Sequence, residues 1–167
     1  MSTAAFRVLV LCTGNSARSQ IGEALFAVRG AERTAGRVEA ESAGSRPAPR
    51  VNPYAVDVLA QHGITWEGRV PKHVDDVMTQ PFDLAITVCD NARDACPIFP
   101  NAQAHVHWGL PDPADHTEPE AARGAFATAY AALSVRVTAL LALPLESMSP
   151  AELSAAAAQI HAGLPAA

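Results

Sequence analysis

The chain has 167 residues, 49% hydrophobic and 17% charged, the balance of one globular domain rather than of a disordered chain. Its formal net charge of −5 argues against a nucleic-acid partner and means that any anion site must be a local electropositive pocket. No apolar run of bilayer-spanning length is expected, and Met1-Ser2-Thr3-Ala4-Ala5 lacks the segments of a secretory signal, so a cytoplasmic location without membrane contact is expected.

Phe6–Leu11 (FRVLVL) reads as a buried strand. Directly after it, the run Cys12-Thr-Gly-Asn-Ser-Ala-Arg18-Ser19 links a cysteine to an arginine through small, turn-prone residues. A strand–loop–helix turn of this kind aims backbone N–H groups inward at a helix N-terminus, where the dipole favours negative charge. Thr13, Gly14, Asn15, Ser16, Ala17 and Arg18 are therefore the expected cradle for a tetrahedral oxyanion, with the Arg18 guanidinium as a bidentate fork. Cys12 sits at its base as a nucleophile, favoured as thiolate by the same electropositive setting. Asn15 suits a left-handed backbone position.

Ser19–Arg29 follows as a helix with Ile21, Leu25 and Val28 at helical spacing, and Val38–Ser42 as a second short strand. Asn52-Pro53 starts a helix with Asn as cap and Pro in the first turn; Val56 and Leu59 lie along it and Gly63 ends it. Asp83–Val88 and Ala104–Trp108 are the third and fourth strands. Thr117-Glu-Pro-Glu120 reads as a capping box opening a long helix with Phe126, Tyr130, Leu133, Val137 and Leu140 on one face. Pro144 breaks that helix, and Ser149-Pro-Ala-Glu152 opens an alanine-rich final helix ending near Gly163. The expected division is a main unit at 1–143 and a helical extension of the same domain at 144–167.

Strands alternating with helices imply an α/β single-domain three-layer sandwich around a four-stranded parallel sheet, with ligands outside the carboxyl ends of the strands. Cys12 follows the first strand, Cys89 the third, and Asp112 the fourth, so three chemical features converge on one edge. Cys12, Cys89 and Cys96 are an odd set that favours redox or catalytic thiols over a disulfide framework. Their spacing and that of the histidines give no zinc site. A regular helix over residues 89–96 would separate those two cysteines by roughly 10 Å at Cα. A disulfide needs about 7 Å or less, so Asp90–Ala95 is expected to be looped or to unwind when that pair oxidises.

The set Cys12-x5-Arg18, Thr87-Val-Cys89-Asp90, Cys96-Pro97 and His107-Trp108-Gly109 resembles the thioredoxin-coupled arsenate reductases built on the low-molecular-weight protein tyrosine phosphatase fold. The likeness spans roughly residues 6 to 142, nearly a whole domain. It implies reduction of arsenate to arsenite by a relay in which Cys12 attacks arsenic, Asp112 protonates the departing oxygen, Cys89 displaces arsenite, and Cys96 then attacks Cys89. The final disulfide is left for thioredoxin, with no other cofactor. Ser19 is implied as a hydrogen-bond donor to the Cys12 thiolate, and Asp115 is the nearest alternative acid. Some relatives hold potassium near the loop. Asn15, Glu23 and Ser42 match three of its ligand positions, whereas the fourth has no counterpart at His73-Val74. Ala17 stands where many relatives carry another cysteine. The segment Ala114-Asp115-His116 lacks the tyrosines with which the phosphatases frame an aromatic substrate, which disfavours the alternative of a phosphatase acting on phosphotyrosine or small phosphoesters.

Overall fold

Alternate residues of the first strand enter two different cores. In β1 (Phe6–Cys12), Val8, Val10 and Cys12 join the larger cluster, while Leu9 and Leu11 join the smaller one on the opposite face. A strand buried on both faces reads as a continuous apolar run, and such strands pair in parallel. The structure is a computed structural model that describes residues 4–89 and 99–165, Cys89 by its backbone alone. β1, β2 (Val38–Gly44), β3 (Phe82–Cys89) and β4 (Ala102–Leu110) form one parallel sheet in the order β2-β1-β3-β4. The strand order reverses between β1 and β3, the place where open α/β sheets leave a crevice at their carboxyl edge. Leu11 is the partner of Thr87 in that pairing, so Cys12 and Cys89 emerge at neighbouring strand ends. The segment Asp90–Pro97, with Cys96 and the expected unwinding on oxidation, lies outside the described residues.

Described helices gather on the face of the larger cluster. In α1 (Arg18–Ala31), Ile21, Ala24, Leu25 and Phe26 are buried. Val28 is instead 38% exposed, because the helix turns its Gly22 side toward the sheet. A Cβ on Gly22 would stand 3.1 Å from Val10 Cγ1, so the missing side chain sets the close approach. Asn52 caps α2 (Pro53–Gln61) by accepting from Tyr54 N at 2.9 Å, and Gly63 closes it at φ +80°. α3 (Pro119–Leu141) buries Phe126, Tyr130, Leu133, Val137 and Leu140 as its spacing predicts. Its cap is Glu118, not Thr117: proline at the first helical position holds the preceding residue extended, and Glu118 accepts from Ala121 N at 3.0 Å.

Among the described residues, α3 is long and apolar enough to cross a bilayer by length and composition alone. Alanines on its outer side raise its hydropathy, while its large apolar side chains line the core. The second face of the sheet is covered, among the described residues, by the single turn Val74–Val77 with Met78, Phe82 and Phe99.

α4 (Pro150–Ala162) begins with the expected capping box, Ser149 and Glu152 bonding reciprocally. It packs on β4, where Trp108 Nε1 donates to the Ala157 carbonyl at 2.9 Å and His105 N donates to Ser154 Oγ at 3.2 Å. The fully buried Arg136 donates from Nε to His161 Nδ1 at 2.9 Å, from Nη1 to Ala132 O and from Nη2 to Leu164 O. Burial, then the Arg136 and His107 charges, hold the His161 imidazole below its ordinary 6.5. A base so depressed is neutral in the fold while the unfolded chain still takes up a proton. Its stabilising contribution is thus complete above about pH 6.5 and is lost as pH falls below that. The difference in melting temperature between the wild type and His161→Gln should therefore shrink between about pH 7.5 and 5.5. A pH-independent difference in scanning calorimetry would refute the Arg136–His161 linkage.

Candidate active site

β1 delivers Cys12 to the carboxyl edge, and α1 starts at Arg18 with no side-chain cap and no acidic residue in its first turn. The N–H groups of that turn are left for an external acceptor. The loop between them is shaped from outside, because each of its carbonyls is engaged away from its centre. Ser45 N donates to Cys12 O (3.3 Å), Arg46 N to Thr13 O (2.8 Å), Ala48 N to Gly14 O (2.8 Å) and Asn52 N to Ser16 O (2.9 Å). Gln20 Nε2 takes Asn15 O at 3.0 Å, and Ile21 N takes Ala17 O at 3.0 Å. Carbonyl dipoles that would repel an anion are thus engaged by donors away from the loop's centre. The backbone reversal falls on Asn15 at φ +50°, the left-handed position expected of it.

Below the loop lies a hydrogen-bond chain that runs from the Lys72 amide through Asn15 to Cys12 at one end and Glu23 at the other. Lys72 N can only donate, so the Asn15 atom it meets at 2.9 Å is the carbonyl oxygen Oδ1. Asn15 Nδ2 is therefore a donor, to Ser19 Oγ and to Ser42 Oγ, each at 2.9 Å. With the amide as donor to both hydroxyls, Ser42 gives its hydrogen to Glu23 Oε1 at 2.6 Å, and Ser19 Oγ stands 2.8 Å from Cys12 Sγ, donating to it when the sulfur is a thiolate. Asn15 N adds a second donor to the sulfur at 3.2 Å. Cys12 is 3% exposed, so a thiolate there would draw its stabilisation from these donors and not from water.

Arg18 ties this loop to the one after β4. Nη1 donates to the Leu110 carbonyl at 2.6 Å, and Nη2 lies 3.3 Å from Asp112 Oδ2. Among the described residues its buried Nε has no hydrogen-bond partner, a donor that a bound oxyanion would satisfy. Asp112 also caps the turn Pro113–Asp115 by accepting from Ala114 N at 3.0 Å, while Asp115 is exposed on that turn. Cys12, Arg18, Ser19 and Asp112 thus converge; Cys89 is placed by its backbone beside Leu110, and Cys96 lies outside the described residues.

The cation suggested by Asn15, Glu23 and Ser42 does not fit their arrangement. Asn15 presents an N–H to Ser42 and has its oxygen committed to Lys72 N and Gln20 Nε2. Glu23 holds the Ser42 hydroxyl with one oxygen and Arg69 Nη1, at 3.2 Å, with the other. A hard cation needs oxygens with lone pairs to spare, and these are taken. Among the described residues, no three or more His, Cys, Asp and Glu side chains converge as metal ligands. What the sequence reading missed is the clamp itself: Gly44 through Asn52, Gln20, the Lys72 amide and the Leu110 carbonyl. They act almost wholly through backbone atoms, which no side-chain motif signals.

A model of the low molecular weight phosphotyrosine protein phosphatase family matches residues 7–153. The chain belongs to that family. This phosphatase-family protein is 37% identical over 107 residues to an arsenate reductase of Halalkalibacterium halodurans, covering 64% of this chain and 73% of that protein. It resembles the crystal structure of an arsenate reductase from Archaeoglobus fulgidus at 32% identity and TM-score 0.66, covering 81% of this chain and 99% of that one. A thioredoxin-dependent arsenate reductase of Corynebacterium glutamicum follows at 26% identity and TM-score 0.57, covering 83% and 64% respectively.

Gly44 gives the sharpest structural test of the clamp. It pairs with Cys12, and a Cβ there would run into the Thr13 carbonyl oxygen and stand 3.0 Å from Asn15 N. Both neighbours are backbone and cannot step aside. Gly44→Ala should weaken binding of inorganic phosphate by about 100-fold, the scale of an ångström-sized misplacement in a preorganised site. Isothermal titration calorimetry measures it, and unchanged affinity would show that the clamp does not set the loop.

Proposed function

We propose that this family member is an arsenate reductase working through a cysteine relay, with Cys12, Arg18, Ser19, Cys89, Cys96 and Asp112 as its chemical residues. The observation that carries the reading is the β1–β3 pairing: an oxyanion loop opening with a cysteine stands beside a strand that ends in a second one. Neighbouring parallel strands lie about 4.8 Å apart, within reach of thiol exchange once the side chains turn toward each other. A phosphatase has no use for a thiol at that strand end.

The steps balance. Arsenate enters the loop, its oxygens held by the amides of Thr13–Arg18 and by the Arg18 guanidinium. The Cys12 thiolate forms a bond to arsenic(V), and one oxygen leaves as water after taking a proton from Asp112. The Cys89 thiolate then attacks Cys12 Sγ. The sulfur–arsenic bond breaks, its electron pair remains on arsenic, and arsenite leaves with arsenic reduced by two electrons. Cys96 attacks Cys89, returning Cys12 as thiolate and leaving a Cys89–Cys96 disulfide. A dithiol protein of the thioredoxin kind reduces that disulfide, in keeping with the thioredoxin dependence named for the Corynebacterium relative. Such thiol cycling belongs in a reducing compartment, consistent with a cytoplasmic enzyme.

A single turnover tests this reading. Fully reduced protein mixed with arsenate and no external reductant should release about one arsenite per chain and lose about two thiols. Cys96→Ser should keep that turnover but not recycle with thioredoxin, and Cys89→Ser should retain arsenic on the protein. Thiols left intact, with phosphate released from an aryl phosphate, would replace the proposal with a phosphatase. Removing the acid in Asp112→Asn should slow the first step by about 10² to 10⁴, measured by quenched flow.

A further inference from the structure

Glu23 lies on α1 with its side chain 8% exposed, at the end of the hydrogen-bond chain that runs through Ser42, Asn15 and Ser19 to Cys12. A carboxylate so enclosed needs a counter-charge, since an isolated buried ion costs several kcal/mol. That charge comes from Arg69, whose Nη1 meets Glu23 Oε2 at 3.2 Å. The guanidinium is fixed a second time, its Cζ standing 3.7 Å from the centroid of the Trp66 ring. Trp66 is itself buried and donates from Nε1 to Gln20 Oε1 at 2.9 Å, and Gln20 in turn holds the Asn15 carbonyl. Arg69 therefore touches two independent routes to the same loop residue, one through Glu23 and Ser42, the other through Trp66 and Gln20.

We propose that Arg69 is the resident counter-cation of this site, a positioning residue that does for the oxyanion loop what a bound monovalent cation would do. Planar and fork-shaped, a guanidinium suits both the carboxylate and the indole face, which a hydrated ion does not. Tethered to the chain, it also makes the loop independent of the salt around it. Burial, helped by the Glu41 charge, holds the Glu23 carboxyl above its ordinary range, although the Ser42 hydrogen bond and the Lys72 and Arg69 charges lower it in part. Lys72 gives its ammonium to Glu41 at 3.5 Å, which leaves Arg69 as the direct partner of Glu23. Although Arg69 is about half exposed, the pair is not an ordinary surface bridge, because its removal strands an enclosed carboxylate.

The inference rests on the loop binding a tetrahedral oxyanion and not on the reaction that follows. Its test therefore reads inorganic phosphate binding by calorimetry, and arsenate turnover plays no part. The wild type should show the same phosphate affinity and melting temperature in potassium chloride as in choline chloride of equal ionic strength. Arg69→Ala should bind phosphate about tenfold more weakly, a coupling of about 1.4 kcal/mol. In a Glu23→Gln background, where no charge needs balancing, the same Arg69→Ala change should cost less than about twofold. Potassium-specific tightening or stabilisation of the wild type would overturn the proposal. So would an Arg69→Ala protein that binds phosphate like the wild type, or a tenfold loss that persists with Glu23→Gln. If Arg69→Ala does not fold, Arg69→Gln takes its place in the same cycle.

Discussion

The outward pinning of the loop carbonyls is the constraint on which the rest of the site depends. A loop of small residues has no reason of its own to point its N–H groups one way, and six carbonyl dipoles turned inward would cancel any attraction for an anion. Segment 45–52, with Gln20 and Ile21, removes that freedom by engaging the carbonyls of Cys12 through Ala17 from outside. The amides are then oriented before any ligand arrives, and donors already in place need no reorganisation when charge develops. This also resolves the electrostatic puzzle of an anion site in a chain of net charge −5. The pocket's potential is local, made of oriented amides, an uncapped helix start and one buried guanidinium.

A second layer fixes direction. One backbone amide, Lys72 N, determines which way the Asn15 side chain faces, and that orientation propagates through two serine hydroxyls to the nucleophile at one end and to Glu23 at the other. At Cys12 the Asn15 N–H donates to the sulfur and the Ser19 hydroxyl can do so too, an arrangement that suits a thiolate. Asp112, the proposed acid, is kept apart from this network. It sits against Arg18, so the proposed proton donor and the groups that meet the sulfur do not compete for one hydrogen.

β4 joins the site to the C-terminal helix. Its end supplies the Leu110 carbonyl to Arg18, and its middle supplies Trp108 and His105 to α4. Arg136, buried among neutral acceptors, extends the same connection, two of its bonds going to His161 and Leu164. A buried charge without a carboxylate adds little net stability, but it penalises any other placement of α4 that leaves its N–H groups unmet.

By itself the sequence determined the elements and the chemistry carried by side chains. Apolar runs of strand length, Asn52-Pro53 and Ser149-Pro150 as helix starts, and the Cys12–Ser19 run all declare themselves within a few residues, since periodicity, capping and loop conformation are local physics. Thr117 was misread because proline shifts a cap by one residue, and Val28 because helical spacing alone does not say which side meets the sheet. Tertiary structure alone decided how the loop is held. Gly44 against Thr13, the carbonyl clamp of 45–52, Lys72 N on Asn15 and Arg69 on Glu23 join residues far apart in the chain. Most of them act through main-chain atoms, which every residue possesses and no sequence pattern can mark. The Arg69–Glu23 pair bears on the three potassium-like positions for the same physical reason: whether a carboxylate awaits a cation depends on which side chain the fold has already brought to it.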